Sequence, residues 1–175
     1  GGIDLFKSTD GANTWSQVSH WYGGFGFQNV HADQHFALYA NGSSSIAYFT
    51  NDGGIYRTTN ANDAMPTIID KGTNYITTQF YGCAMHPDAQ TAHYLAGAQD
   101  NGTHLFTSNT LQNTTEVTGG DGAFCNIDQN ESQYQFSQYV RNNYYRSTDG
   151  GASFTSVNHG NNGRFINPTY YDDVN

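Results

Sequence analysis

One segment recurs four times along this chain, and the recurrence limits the fold more than any other property. The copies are GGIDLFKSTDG at 1–11, GGIYRTTNAN at 53–62, NGTHLFTSNT at 101–110 and NNYYRSTDGG at 142–151. Each is a Gly- or Asn-rich turn, then alternating apolar and polar residues, then Ser/Thr and Asp/Asn. Aligned on Ser8, Thr58, Thr107 and Ser147, they stand 50, 49 and 40 residues apart. That is the period of a supersecondary unit and not the 3.6-residue rhythm of a helix. Upstream of three of the turns a strand ends at Tyr48, Tyr94 or Tyr134. Before it lies an apolar strand, HFALYA (35–40), FYGCAMHP (80–87) or AFCNID (123–128). A last strand follows each copy: WSQV (15–18), PTIID (66–70), NTTEV (113–117) and SFTSV (153–157).

Four short strands per unit, here A to D in chain order, predict an all-β chain of antiparallel four-stranded β-propeller blades, whose radial packing leaves few exposed edges. The expected organisation is a C–D hairpin over 1–18, blades over 33–70, 78–117 and 120–157, and the start of a further blade over 163–175. The chain is thus expected to begin and end partway through a blade, as a fragment of a larger protein whose other blades or domains are its first partners. Twenty Gly and only three Pro suit tight turns between strands better than helix interiors. Aromatics at 15% against 12% charged residues exclude a disordered chain. A net charge of −9 with six basic residues leaves no cationic stripe for phosphates or anionic headgroups, so nucleic acid and membrane surfaces are not expected partners. No apolar run reaches the roughly 18 residues of a membrane span, and an export signal is expected to lie outside this sequence.

STDGANTW (Ser8 to Trp15) and STDGGASF (Ser147 to Phe154) resemble the Asp box, SxDxGxTW, of sialidases, sortilin-type receptors and related secreted propellers. The second carries Phe154 for Trp, and the first carries Ala12 where the motif has Gly. The copies at Thr58 and Thr107 keep only Asn60 and Asn109 in the Asp position. The resemblance implies a structural role for Ser8, Asp10, Trp15, Ser147, Asp149, Gly151 and Phe154. The carboxylate accepts backbone N–H groups in the C-to-D turn, the Gly takes φ > 0 and the aromatic closes over the hairpin. It also implies an extracellular or cell-surface location.

In an up-and-down blade the B-to-C turns and D-to-A connections share one face. On it fall Asp33, His35, Gln79, Asp121, Arg141 and Arg164 as candidate binding residues, with Asp52 and Asp100 in the B-to-C turns. YFTNDGGIYRT (48–58) and LAGAQDNGTHLF (95–106) are similar to the Asp-Gly-Gly turns of family 74 glycoside hydrolases, the xyloglucanases. By that resemblance Asp52 and Asp100 are the candidate acid and base, since glycoside cleavage needs one protonated and one charged carboxyl. The family draws its pair from two facing propeller domains, whereas these two fall in adjacent blades, where turn Asp residues beside Gly are the structural alternative. A sialidase-like carboxylate clamp needs three arginines, and only Arg141 and Arg164 reach this face.

His31, Asp33 and His35, at i, i+2 and i+4, share one side of an extended strand and form a candidate metal set. No cofactor is expected, with Ca²⁺ at the Asp- and Asn-rich turns as the alternative. Cys83 and Cys125 occupy equivalent places on consecutive A strands, as a disulfide candidate or as buried free thiols. Glycosylation sequons stand at Asn41, Asn101, Asn113 and Asn130. The principal functional expectation is a non-catalytic binding or structural propeller segment recognising glycan or protein. The alternatives are a glycoside hydrolase with part of its site in other blades, and a sortilin-like receptor that takes peptide in the tunnel.

Overall fold

The alternation read from the repeats becomes antiparallel sheet throughout the computed structural model, which describes residues 2–75, 78–110, 114–158 and 160–172. No helix occurs among the described residues. The chain divides into two units, Gly1–Thr77 and Thr78–Asn175.

In the first unit a two-stranded hairpin, β1 (Phe6–Lys7) with β2 (Ser16–Gln17), precedes a four-stranded meander in the order β3 (Gln34–Tyr39), β4 (Ala47–Asn51), β5 (Gly54–Thr58) and β6 (Ile68–Asp70). Period-2 alternation gives the meander two faces. Tyr56 and Ile68, with partly buried Phe49, pack on Leu5, Val18 and Val30, each fully buried Leu, Val or Ile contributing about 1.5–3 kcal/mol. The opposite face carries a row running Leu38, Tyr48, Arg57, Ile69 across the strands, with the Arg57 guanidinium over the Tyr48 ring at 5.9 Å.

The second unit holds two four-stranded meanders. One runs β7 (Gly82–Met85), β8 (Tyr94–Ala98), β9 (Gly102–Phe106), β10 (Thr114–Thr118), and the other β11 (Cys125–Ile127), β12 (Gln135–Gln138), β13 (Asn143–Ser147), β14 (Thr155–Asn158). Leu95, Cys125 and Ile127 form the core between them, joined by Ala84, Leu105, Val117 and Phe154. Buried hydroxyls add a polar seam, Ser137 Oγ meeting Thr103 Oγ1 at 3.0 Å and Thr118 Oγ1 at 2.9 Å. The sheets approach so closely near one end that a Cβ on Gly97 would fall 2.2 Å from the Ala123 carbonyl oxygen. These meanders have the four-stranded antiparallel form of propeller blades.

The two segments that resemble the Asp box form the same hydrogen-bonded turn. Ser8 Oγ donates to Asp10 Oδ1 (2.9 Å) and accepts the Ala12 N–H (2.8 Å), while Asp10 takes the Thr14 N–H (2.9 Å) and hydroxyl (2.6 Å). At the other site Ser147, Asp149, Gly151 and Ser153 repeat this at 2.7, 2.8, 2.9 and 2.6 Å. The aromatics differ. Phe154 packs into the inter-sheet core, whereas Trp15 is 60% exposed.

Of the residues expected to start a further blade, 163–172 contain no strand, and 173–175 lie outside the described residues. Pro168 removes a ladder donor, and the segment bonds to the β12–β13 turn, Arg141 N–H donating to the Phe165 carbonyl at 2.9 Å.

Candidate functional site

A β-bulge shapes the polar end of the first unit. Gln34 pairs with Asn51 and Phe36 with Thr50, so His35 is the extra residue of β3. A bulged residue leaves the alternation and its side chain is re-aimed. The His35 imidazole thereby reaches across the β4–β5 turn, and its Nε2 meets Asp52 Oδ1. Asp33, just ahead of the strand, sits at φ 61. Its carboxylate lies within 4.8 Å of that of Asp52, oxygen to oxygen. Asn51 Oδ1 accepts the Gly53 N–H at 3.0 Å, closing the turn, and a Cβ on Gly53 would fall 2.5 Å from the His31 ring.

This geometry sets where His31, Asp33 and His35 stand. The left-handed backbone at Asp33 and the bulge at His35 break the extended alternation that was to bring His31, Asp33 and His35 to one side. Instead His31 packs against Gly53, its Nδ1 3.3 Å from the Ala32 carbonyl, while His35 turns to Asp52.

In the second unit the connection Gly119–Gly122 lies against the β8–β9 turn. Gly102 N–H donates to the Gly120 carbonyl (2.7 Å), Gly122 N–H to the Ala98 carbonyl (2.8 Å), and Asp100 N–H to Asp121 Oδ1 (3.2 Å). A Cβ on Gly122 would fall 2.2 Å from the Gly102 carbonyl oxygen, so the sequence GGDG is what permits the contact. Asp100 takes φ 62, as does Arg141 in the β12–β13 turn. Tyr139 covers Gly120, and burial, reinforced by the Asp121 and Tyr145 charges, raises its phenol above the ordinary value of 10.0. Tyr81 donates to Gln99 at 2.7 Å. Gln79 and Arg164 are exposed, the Arg164 N–H bonding Asn167 Oδ1 at 2.9 Å.

Asp52 belongs to the first unit and Asp100 to the second. Cys83 and Cys125 are not bonded: both thiols are free, Cys83 exposed and Cys125 buried. Ala84 packs against the core that holds Cys125, and Cys83 and Cys125 both line the cavity that β7 and β11 border. Burial pushes the Cys125 thiol up to about 12. Strands β7 and β11 border a cavity of about 240 Å³ lined by Met85, Asn126, Tyr170 and Tyr171 among others. Gln129 Nε2 donates to the Met85 (3.2 Å) and Ile127 (3.0 Å) carbonyls and so links these two inner strands. Sequons Asn41 and Asn130 are exposed and Asn101 is partly buried, while Asn113 lies outside the described residues.

Sequence reasoning missed the loop between β2 and β3. Residues 20–27 read HWYGGFGF, and Trp21, Tyr22 and Phe25 project from it at 48, 55 and 81% exposure. The density of rings among glycines was the available signal.

No protein-family model and no curated protein matches the chain. Among solved structures it is similar to an ancestral GH74 enzyme, at 12% identity over 77% of this chain and 19% of that one, with a TM-score of 0.43. The GH74 xyloglucanase from Xanthomonas campestris is 13% identical over 90% and 27%, with a TM-score of 0.37. The GH74 enzyme of Niastella koreensis is 13% identical over 86% and 29%, with a TM-score of 0.34. The chain spans less than a third of the length of each.

Proposed function

We propose that this chain is a non-catalytic, glycan-binding segment of a secreted or cell-surface propeller protein. The observation that carries the reading is the use made of the acids on the turn face. The Asp121 carboxylate accepts the Asp100 N–H, and Asp100 itself occupies a left-handed turn position. The Asp121 carboxylate thus holds backbone in place, and amides, hydroxyls and aromatic rings are the groups that suit a neutral polyol. An acidic surface with few cations argues against polyanions in the same way.

A second reading, a glycoside hydrolase, is favoured by one observation. Asp33 and Asp52 bring carboxylate oxygens within 4.8 Å, near the ~5–5.5 Å of a retaining pair. One experiment separates the two. The wild-type chain, Asp33→Asn, Asp52→Asn and Asp100→Asn are applied to an oligosaccharide array and assayed on aryl glycosides. Binding without turnover, unchanged by Asp100→Asn, is expected. Turnover that Asp33→Asn or Asp52→Asn abolishes would overturn the binding-only reading.

A further inference from the structure

The β2–β3 loop is closed by backbone hydrogen bonds of its own. His20 N–H donates to the Gln28 carbonyl, Gly23 N–H to the His20 carbonyl and Phe27 N–H to the Gly24 carbonyl, each at 2.9 Å. Two side chains fix Trp21 from below: Asp4 Oδ1 accepts its N–H at 2.7 Å, and Asn29 Nδ2 donates to its carbonyl at 3.0 Å. Gly23, Gly24 and Gly26 supply φ values of 70, 100 and 84. Phe25 itself stands at φ 53 and is 81% exposed. A bulky residue in that region is strained by roughly 1–2 kcal/mol, and the strain here holds a ring outward in water.

The rings are arranged as a corner. Tyr22 stands at 85° to Trp21 with centroids 4.6 Å apart, and His20 supports both, edge-on to Tyr22 at 4.1 Å and near-parallel to Trp21 at 6.4 Å. Each ring of the corner keeps about half its surface in solvent.

Resting on the glycan-binding reading, we infer that Trp21 and Tyr22, flanked by Phe25, form the platform on which a neutral oligosaccharide stacks. Two perpendicular aromatic walls present one face to the C–H side of a pyranose and a second to its edge, and polar groups at the rim take its hydroxyls. The ordering cost is already met by the loop's own bonds, so little binding energy is lost on immobilising side chains. The charged group bonded to this loop among the described residues is the Asp4 carboxylate. The cations of the hairpin and meander are engaged elsewhere, Lys7 on the Ala61 and Asp63 carbonyls and Arg57 on Tyr48. An uncharged sugar fits this field and a uronic or sialic acid does not.

The test uses a Trp15→Phe background, in which Trp21 is the sole indole. Cello-, xylo-, manno- and chito-hexaose are titrated while calorimetry and indole emission are followed, in that background and with Trp21→Ala or Tyr22→Ala added. One class is expected to bind and shift the emission. Trp21→Ala should weaken it at least tenfold and Tyr22→Ala several-fold, with melting temperatures unchanged. Should Trp21→Ala fail to fold, Trp21→Tyr replaces it and should retain binding with reduced affinity. Full affinity in both variants with an unmoved indole would overturn the platform and leave the glycan reading standing. Failure of the wild-type chain to bind any hexaose would overturn both. A sedimenting dimer abolished by Trp21→Ala would assign the corner to a second copy of this chain and overturn the inference.

Discussion

The His35 imidazole contacts the Asp52 carboxylate because His35 is the extra residue of a β-bulge, and Gln34 and Phe36 keep the ladder on either side of it. A one-residue insertion thus moves a side chain out of the sheet's alternation and onto the neighbouring turn. The His35 side chain is 62% exposed and that of Asp52 28%, so solvent screens the pair, and contacts of this kind contribute about 0–1 kcal/mol. His35→Ala and Asp52→Asn should each change stability by less than about 1 kcal/mol in urea unfolding. A larger loss would mean that the contact sets the bulge instead of following from it.

The two Asp-box-like turns make opposite predictions at one position. Ala12 occupies φ 69 where its counterpart Gly151 occupies φ 86, and among the described residues nothing lies within 4 Å of the neighbouring Gly11 Cβ position. An alanine held left-handed costs roughly 1 kcal/mol, so Ala12→Gly should raise stability by about that amount. Gly151→Ala should lower it by more, because a Cβ there would also fall 2.7 Å from the buried Gln135 Oε1. Paired thermal melts read both signs.

Acid sensitivity follows from the same turns. Hydrogen bonds from Thr14 and Ser8 hold Asp10 at about 2, and those from Ser153 and Ser147 hold Asp149 at about 2, against an ordinary value of 3.8. Between these values the unfolded chain binds protons that the folded chain refuses. The contribution is therefore complete above about pH 4 and is lost as pH falls through about 2. Melting temperatures between pH 5 and pH 2 should fall less steeply for Asp10→Asn and Asp149→Asn than for the wild-type chain. Parallel curves would count against the turn carboxylates as the source.

The thiols should be distinguishable chemically. Reactivity belongs to the thiolate, and Cys125 is buried with its pKa pushed up to about 12, whereas Cys83 is exposed. An aromatic disulfide reagent at pH 8 should label one thiol in the native chain and two in urea. Two fast thiols, or none, would contradict the exposure of Cys83 and the burial of Cys125.

What was legible in the sequence was what has a period. The meanders around Tyr48, Tyr94 and Tyr134 could be read because alternation and turn glycines repeat in each unit. The bulge at His35 could not, since a one-residue slip leaves composition and pattern almost unchanged while reversing the faces. The same limit explains the metal set: i, i+2, i+4 spacing implies a common side only where backbone is extended, and Asp33 is not. Residues 163–172 look strand-like in composition, yet a strand exists only with a partner. The aromatic loop escaped because it belongs to no repeat.

Gln138 gives the last test. It ends β12 at 1% exposure, and among the described residues neither its Nε2 nor its Oε1 has a hydrogen-bond partner, while its backbone is fully used, Gln138 N–H donating to Phe124 and its carbonyl accepting from Ala123. Neighbouring Ser137 faces the inter-sheet hydroxyl seam, so alternation turns Gln138 to the other face of the sheet, the face on which Phe136 meets Tyr171. An unmet buried amide costs about 1–3 kcal/mol, and methionine has nearly the same length and shape without that cost. Gln138→Met should therefore stabilise the chain by about 1 kcal/mol in urea unfolding, with β12 pairing intact. A destabilisation of similar size would show that the amide is satisfied in solution, by ordered water or by a ligand group, and would mark this face of β12 as a polar contact surface.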